Sequence, residues 1–82
     1  MADKSKVEVS ILGNRYKLTS SENSPEKLEA LAAKVDQRMR ETAQRFNLFN
    51  NLHASVLTAL QLQEELDKLQ QDYDELITLL ED

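Results

Sequence analysis

The chain has no cysteine and no tryptophan, and only one glycine, one proline and one histidine in 82 residues. Without cysteine there is no disulfide, no thiol nucleophile and no thiolate metal site. One histidine leaves no partner set for a zinc centre. No apolar run approaches the roughly 20 residues needed to span a bilayer. No signal-like apolar segment occurs either, so a cytosolic protein is expected. The aromatic residues number four: Tyr16, Phe46, Phe49 and Tyr73. A chain this short, with so few large side chains and no covalent staple, needs a partner copy to complete its core.

Positive charge is scarce in one half only. Residues 1–45 carry nine basic and seven acidic side chains, whereas residues 46–82 carry one basic and eight acidic. The net charge of −5 is therefore the sum of +2 over residues 1–45 and −7 over residues 46–82. An acidic helix of this kind argues against nucleic acid and against an anionic membrane surface, because both demand a basic face. A basic patch on another protein remains a suitable partner.

After a short charged leader at 1–6, VEVSILGNRYKL (7–18) alternates like a hairpin. A two-residue Gly13–Asn14 loop would pair Leu12 with Arg15, Ile11 with Tyr16 and Val9 with Leu18. Val7, Val9, Ile11, Tyr16 and Leu18 then share a dry face. Glu8, Ser10, Leu12, Arg15 and Lys17 share the wet one. Two strands alone are marginal in water, so the dry face must lean on the rest of the chain. Ser24 and Pro25 signal a helix start. Leu28, Leu31, Ala32, Val35, Met39, Ala43 and Phe46 then recur at helical spacing, predicting a helix over about 25–45. Its outer side carries Glu29, Lys34, Asp36, Arg38, Glu41 and Arg45.

Asn47–Asn51 reads as a linker, with Asn50 or Asn51 placed to cap a second helix. No glycine or proline follows to Asp82, so that helix is expected from about 51 for about 30 residues, or roughly 45 Å. Leu52, Val56, Leu57, Ala59, Leu60 and Leu62 suggest a broad head-core face. Leu62, Leu66, Leu69, Tyr73, Leu76 and Leu80 follow at alternating steps of four and three, the seam of a coiled coil. The expected fold class is α+β: an N-terminal hairpin, an amphipathic helix, and a long C-terminal helix ending in a coiled coil, with a dimeric head. A globular head over 7–61 and a coiled-coil part over 62–82 are the expected divisions.

Nothing points to catalysis, a cofactor or a metal. His53 reads as a polar residue in a first helical turn. Asp36, Glu41, Glu64 and Glu65 read as solvated helix faces, and Gly13 is a turn glycine, not a phosphate loop. Arg15 and Lys17, with Leu12 beside them, resemble a small contact patch, which Lys34, Arg38 and Arg45 would extend.

Three segments together resemble the ZapA family of bacterial cell-division proteins: VEVSILGNRYKL (7–18), AAKVDQRMRETAQRF (32–46) and LHASVLTALQLQEEL (52–66). The resemblance covers nearly the whole chain. It implies a cytoplasmic, non-enzymatic protein acting at midcell, which binds the tubulin-like GTPase FtsZ, cross-links its protofilaments laterally and stabilises the Z ring. It also implies a head dimer, with dimers joining through the C-terminal helices into a tetramer, and in some relatives a second coiled-coil partner, ZapB. The family's filament contact maps onto Asn14, Arg15 and Lys17 here. The other reading is a generic helical-bundle scaffold or chaperone-like subunit that binds through the Leu62–Leu80 seam.

Overall fold

The computed structural model describes residues 5–81. Strands β1 (Ser5–Ile11) and β2 (Asn14–Ser20) form an antiparallel hairpin, followed by helices α1 (Pro25–Arg45) and α2 (Asn51–Glu81). The expected α+β order holds. The strands run further than 7–18: Ser5 and Lys6, expected in the leader, pair with Ser20 and Thr19. Residues 1–4 of that leader lie outside the described residues.

The hairpin turn differs from expectation. Ile11 pairs with Asn14, Val9 with Tyr16 and Val7 with Leu18, so the loop is Leu12–Gly13, not Gly13–Asn14. Both loop residues have positive φ, 51° at Leu12 and 80° at Gly13, the mark of a type I′ turn. Gly13 is at home there; a leucine costs about 1–2 kcal/mol. The inward row of Val7, Val9, Ile11, Tyr16 and Leu18 nevertheless survives, because the register has moved by two residues and not by one. Leu12 leaves the wet face and becomes half-buried in the turn.

Helix α1 begins as its sequence dictates. The Ser24 side chain accepts from the Lys27 N–H at 3.1 Å, and Pro25 occupies the first turn, where its missing N–H is harmless. Leu28 and Ala32, one turn apart, are buried, as is Val9 on β1, the strand against which α1 packs. Burying Leu28 alone is worth about 1.5–3 kcal/mol. The helix ends after Arg45, with Phe46 as its C-cap and Asn47 beyond it at a left-handed φ of 53°. The Leu48 N–H then donates to Ala43 O at 2.8 Å and the Asn47 N–H to Gln44 O at 3.4 Å. This closes the helix in a Schellman arrangement, with asparagine where glycine is usual. Asn50 caps α2, its Oδ1 accepting from the Leu52 and His53 N–H groups.

Helix α2 lies against α1 through Ala54 and Thr58, both almost fully buried. The expected head-core face does not pack inward: Leu52, Val56, Ala59, Leu60 and Leu62 are exposed, and Leu57 is half-buried. Small side chains let the helices approach closely, and the bulky leucines point away. Thr58 is 0% exposed and its hydroxyl has no hydrogen-bond partner among the described residues. Thr58→Val keeps the shape and removes the orphan oxygen. It should stabilise by about 1 kcal/mol, raising the thermal midpoint by about 4–8 °C in a chain of this size. A lower midpoint would mean that the hydroxyl is satisfied in solution.

The molecule is thin, 50 × 46 × 15 Å, with a radius of gyration of 16.6 Å. A compact domain of this length would have about 12 Å. Its accessible surface is 6955 Å², against about 5,000 Å² for a compact monomer of this mass. Most of the exposed large apolar side chains lie on α2.

Candidate partner-binding and self-association surfaces

The hairpin's outward face is a short polar field. Lys6, Glu8 and Ser10 on β1 stand opposite Thr19, Lys17 and Arg15 on β2. Arg15 is 82% exposed, and its guanidinium reaches Glu8 Oε1 at 3.3 Å across the strands. Lys17 pairs directly with Glu8. Three cations therefore surround one carboxylate. Lys6 was hidden from the sequence reading, which placed it in a frayed leader; the alternation of SKVEVSI was the signal that could have found it.

The other expected binding residues do not extend this field. Asn14 pairs with Ile11 and so shares the inward side. There it lines an open groove with Leu12, Tyr16, Leu18, Met39 and Leu52. Helix α1 packs on β1 from the inward side, so Lys34, Arg38 and Arg45 belong to a different surface. Arg38 is not free on an outer helix face. It makes a two-pronged contact with Glu65 of α2, one arm at 3.1 Å. The Arg38 hydrogen bond holds the Glu65 carboxyl below its ordinary range, and Glu65 in turn raises Arg38. Beside it, Thr42 Oγ1 donates to Gln61 Oε1 at 3.2 Å. The Arg45 guanidinium sits 5.4 Å from the centre of the Phe46 ring, a cation–π distance. Lys34 lies beside Val35, Arg38 and Leu62.

Asp36 is the largest departure from the sequence reading, which placed it on a solvated face. Its Oδ1 accepts from the Leu12 N–H at 2.7 Å, and its Oδ2 from Arg40 Nε at 3.0 Å. The side chain is 23% exposed. A hydrogen bond to a charged group of this kind contributes about 1.5–3 kcal/mol. Asn51 Nδ2 donates to Leu12 O at 3.4 Å. Both backbone groups of the left-handed leucine are thus held by helical side chains, 24 residues and 39 residues away.

The Leu12 amide, and after it the Arg40 guanidinium, hold the Asp36 carboxyl below its usual value. A carboxyl lowered by folding stabilises the fold above its unfolded value of about 3.9. That contribution disappears as pH falls through the lowered native value. Asp36→Asn should therefore be less stable than the wild type at pH 7 and lose less on acidification. Urea midpoints at pH 7 and pH 3 check this, and equal losses in both proteins would remove Asp36 from the acid limb.

Two apolar rows on α2 have no cover among the described residues. Leu52, Val56 and Leu60 form one, beside Phe49, which is 98% exposed in the interhelical turn. Leu62, Leu66, Leu69, Tyr73, Leu76 and Leu80 form the other. Among the described residues no cluster of His, Asp or Glu could hold a metal ion, and no helix is long and apolar enough to cross a membrane.

A thin hairpin–helix–helix fold with a polar contact face and uncovered apolar rows on a long helix defines a self-associating interaction protein. The chain belongs to the ZapA family: the family model described as cell division protein ZapA matches residues 7–82. Such proteins are non-enzymatic cell-division factors. Cell division protein ZapA of Geobacillus thermodenitrificans (strain NG80-2) is 35% identical over 77 residues, 94% of this chain and 84% of that protein. ZapA of Geobacillus sp. (strain WCH70) is 31% identical over 77 residues, covering 94% and 87%. A solved ZapA mutant dimer from Geobacillus stearothermophilus shares the fold at a TM-score of 0.73 and 30% identity, over 100% of this chain and 94% of that one.

Proposed function

We propose that this chain is a cytoplasmic cross-linker of FtsZ protofilaments, acting at midcell to stabilise the Z ring. The observation that carries this reading is the separation of surfaces: the polar, basic hairpin face is distinct from the apolar rows of α2. The first suits a filament contact, and the second suits self-association. In this reading residues 7–61 form the head and 62–82 the coiled-coil part. A second copy covers Leu52, Val56 and Leu60, and dimers join through Leu62, Leu66, Leu69, Tyr73, Leu76 and Leu80 into a tetramer. Arg15 and Lys17, now joined by Lys6, meet FtsZ; Asn14, Lys34, Arg38 and Arg45 are secondary candidates on other faces. ZapB is a candidate further partner by family resemblance alone.

The mechanism follows from valency. One weak site per chain only decorates a filament. Two or more sites in one rigid assembly make the second binding event effectively intramolecular, so neighbouring filaments are drawn together. Co-pelleting of the purified protein with FtsZ, with and without GTP, tests the reading. The protein should sediment with GTP-dependent polymers; if it stays in the supernatant, the proposal fails. Leu69→Asp places a charge in the seam, and should reduce assembly and bundling together while leaving the head folded. Sedimentation velocity beside the pelleting assay checks this, and full bundling by a disassembled variant would end the valency account.

A further inference from the structure

Two registers of the hairpin turn the same row, Val7, Val9, Ile11, Tyr16 and Leu18, inward. The observed one pairs Ile11 with Asn14 around Leu12–Gly13. Sliding β2 by two residues would pair Leu12 with Arg15, Ile11 with Tyr16 and Val9 with Leu18, around Gly13–Asn14. A slip of one residue would expose the apolar row, but a slip of two leaves it inward. Hydrophobic patterning therefore does not choose between them. Local turn chemistry favours the slipped form, since glycine and asparagine tolerate positive φ and leucine does not. Leu12 nevertheless has φ 51°.

The choice must come from outside the hairpin, and the structure holds one strong contact of the right kind. The Leu12 N–H points at Asp36 Oδ1 from 2.7 Å, and Arg40 fixes the other carboxylate oxygen. Asn51 adds a longer bond to Leu12 O. We propose that Asp36 sets the register of the hairpin, holding Leu12 in the turn and thereby positioning Arg15 and Lys17. In the slipped register Arg15 would face Leu12, Lys17 would face Ser10, and Glu8 would face Thr19. Both cations would move about 7 Å along β1, and the Arg15–Glu8 pair would break. The consequence for filament binding rests on the function proposed above; the register itself does not.

Cross-strand proton contacts in Asp36→Ala, followed by NMR, test the proposal. The wild type should show Val9–Tyr16 and Ile11–Asn14 contacts. The variant should show Ile11–Tyr16 and Val9–Leu18 in their place. Adding Leu12→Gly to Asp36→Ala removes the penalty on the observed turn and should restore the wild-type set. If Asp36 only adds stability, every variant keeps the observed contacts at a lower melting temperature, and the proposal is overturned. Should Asp36→Ala fail to fold, Asp36→Asn retains a weaker acceptor and should show both sets side by side; the observed set alone would overturn the proposal. FtsZ co-pelleting runs in parallel, with loss expected in Asp36→Ala and recovery in the double variant. Full pelleting by a slipped variant would overturn the positioning role. Failure of the wild type to pellet would instead strike the proposed function and leave the register result standing.

Discussion

Val56→Asp is expected to turn the dimer into a monomer and to destabilise the head at the same time. Val56 stands in the middle of the exposed Leu52–Val56–Leu60 row. The proposed second copy covers that row, so the new carboxylate would be desolvated with no partner. A lone charge buried in this way costs several kcal/mol. Taking about 3 kcal/mol, the dimer should weaken by more than about a hundredfold. In the isolated chain the same residue already faces water, so a truly monomeric protein would be indifferent to the change. Sedimentation equilibrium across a range of concentrations reads the effect directly. An unchanged dimer constant would move the interface elsewhere on α2.

Charge reversal at Arg15 should act on the other surface. Arg15→Glu is expected to abolish co-pelleting with FtsZ and to leave the dimer intact. Arg15 is 82% exposed, and its ion pair with Glu8 is a surface contact worth at most about 1 kcal/mol to the fold. The outward row would fall from three cations against one carboxylate to two against two. Like charges facing each other across an interface cost several kcal/mol, enough for a loss of about a hundredfold or more. Lys27→Glu, at an exposed position in the first turn of α1, is the matched control. It makes the same change in net charge on the α1 surface and should leave pelleting nearly unchanged. Equal losses from both variants would mean that total charge, not the hairpin face, governs binding. Full binding by Arg15→Glu would favour the scaffold reading, in which the Leu62–Leu80 seam meets the partner.

The elements themselves were legible because each has a local cause. Ser24 and Pro25 mark the start of α1, Asn50 the start of α2, and the two-residue alternation of 7–18 marks the strands. The turn was not legible. Gly13–Asn14 is the better local loop, and Leu12–Gly13 is found where an aspartate 24 residues away accepts the Leu12 N–H. Asp36 looked solvated for the same reason: carboxylates usually are, and only the approach of the hairpin gives this one a task. Arg38 reads as an outer-face cation until Glu65 of α2 is brought beside it. The inward face of α2 was misassigned because hydrophobicity was used as a guide to burial. Ala54 and Thr58 occupy the helix–helix contact because they are small, while the bulky leucines mark a surface that one chain cannot close. For binding, alternation placed Arg15 and Lys17 on the outward face; the family resemblance set Asn14 with them, and its pairing with Ile11 puts it on the other.

The thinness of the molecule also bears on how much of this protein a cell can keep. If a second copy closes the apolar rows of so thin a molecule, its stability rises with protein concentration, since assembly draws the folding equilibrium forward by mass action. Newly made chains below the assembly threshold open more often, and opened chains are cleaved by cellular proteases. Abundance then has a threshold: sparse chains are cleared and assembled ones persist. Dosage of this protein should respond to its synthesis rate more steeply than in simple proportion.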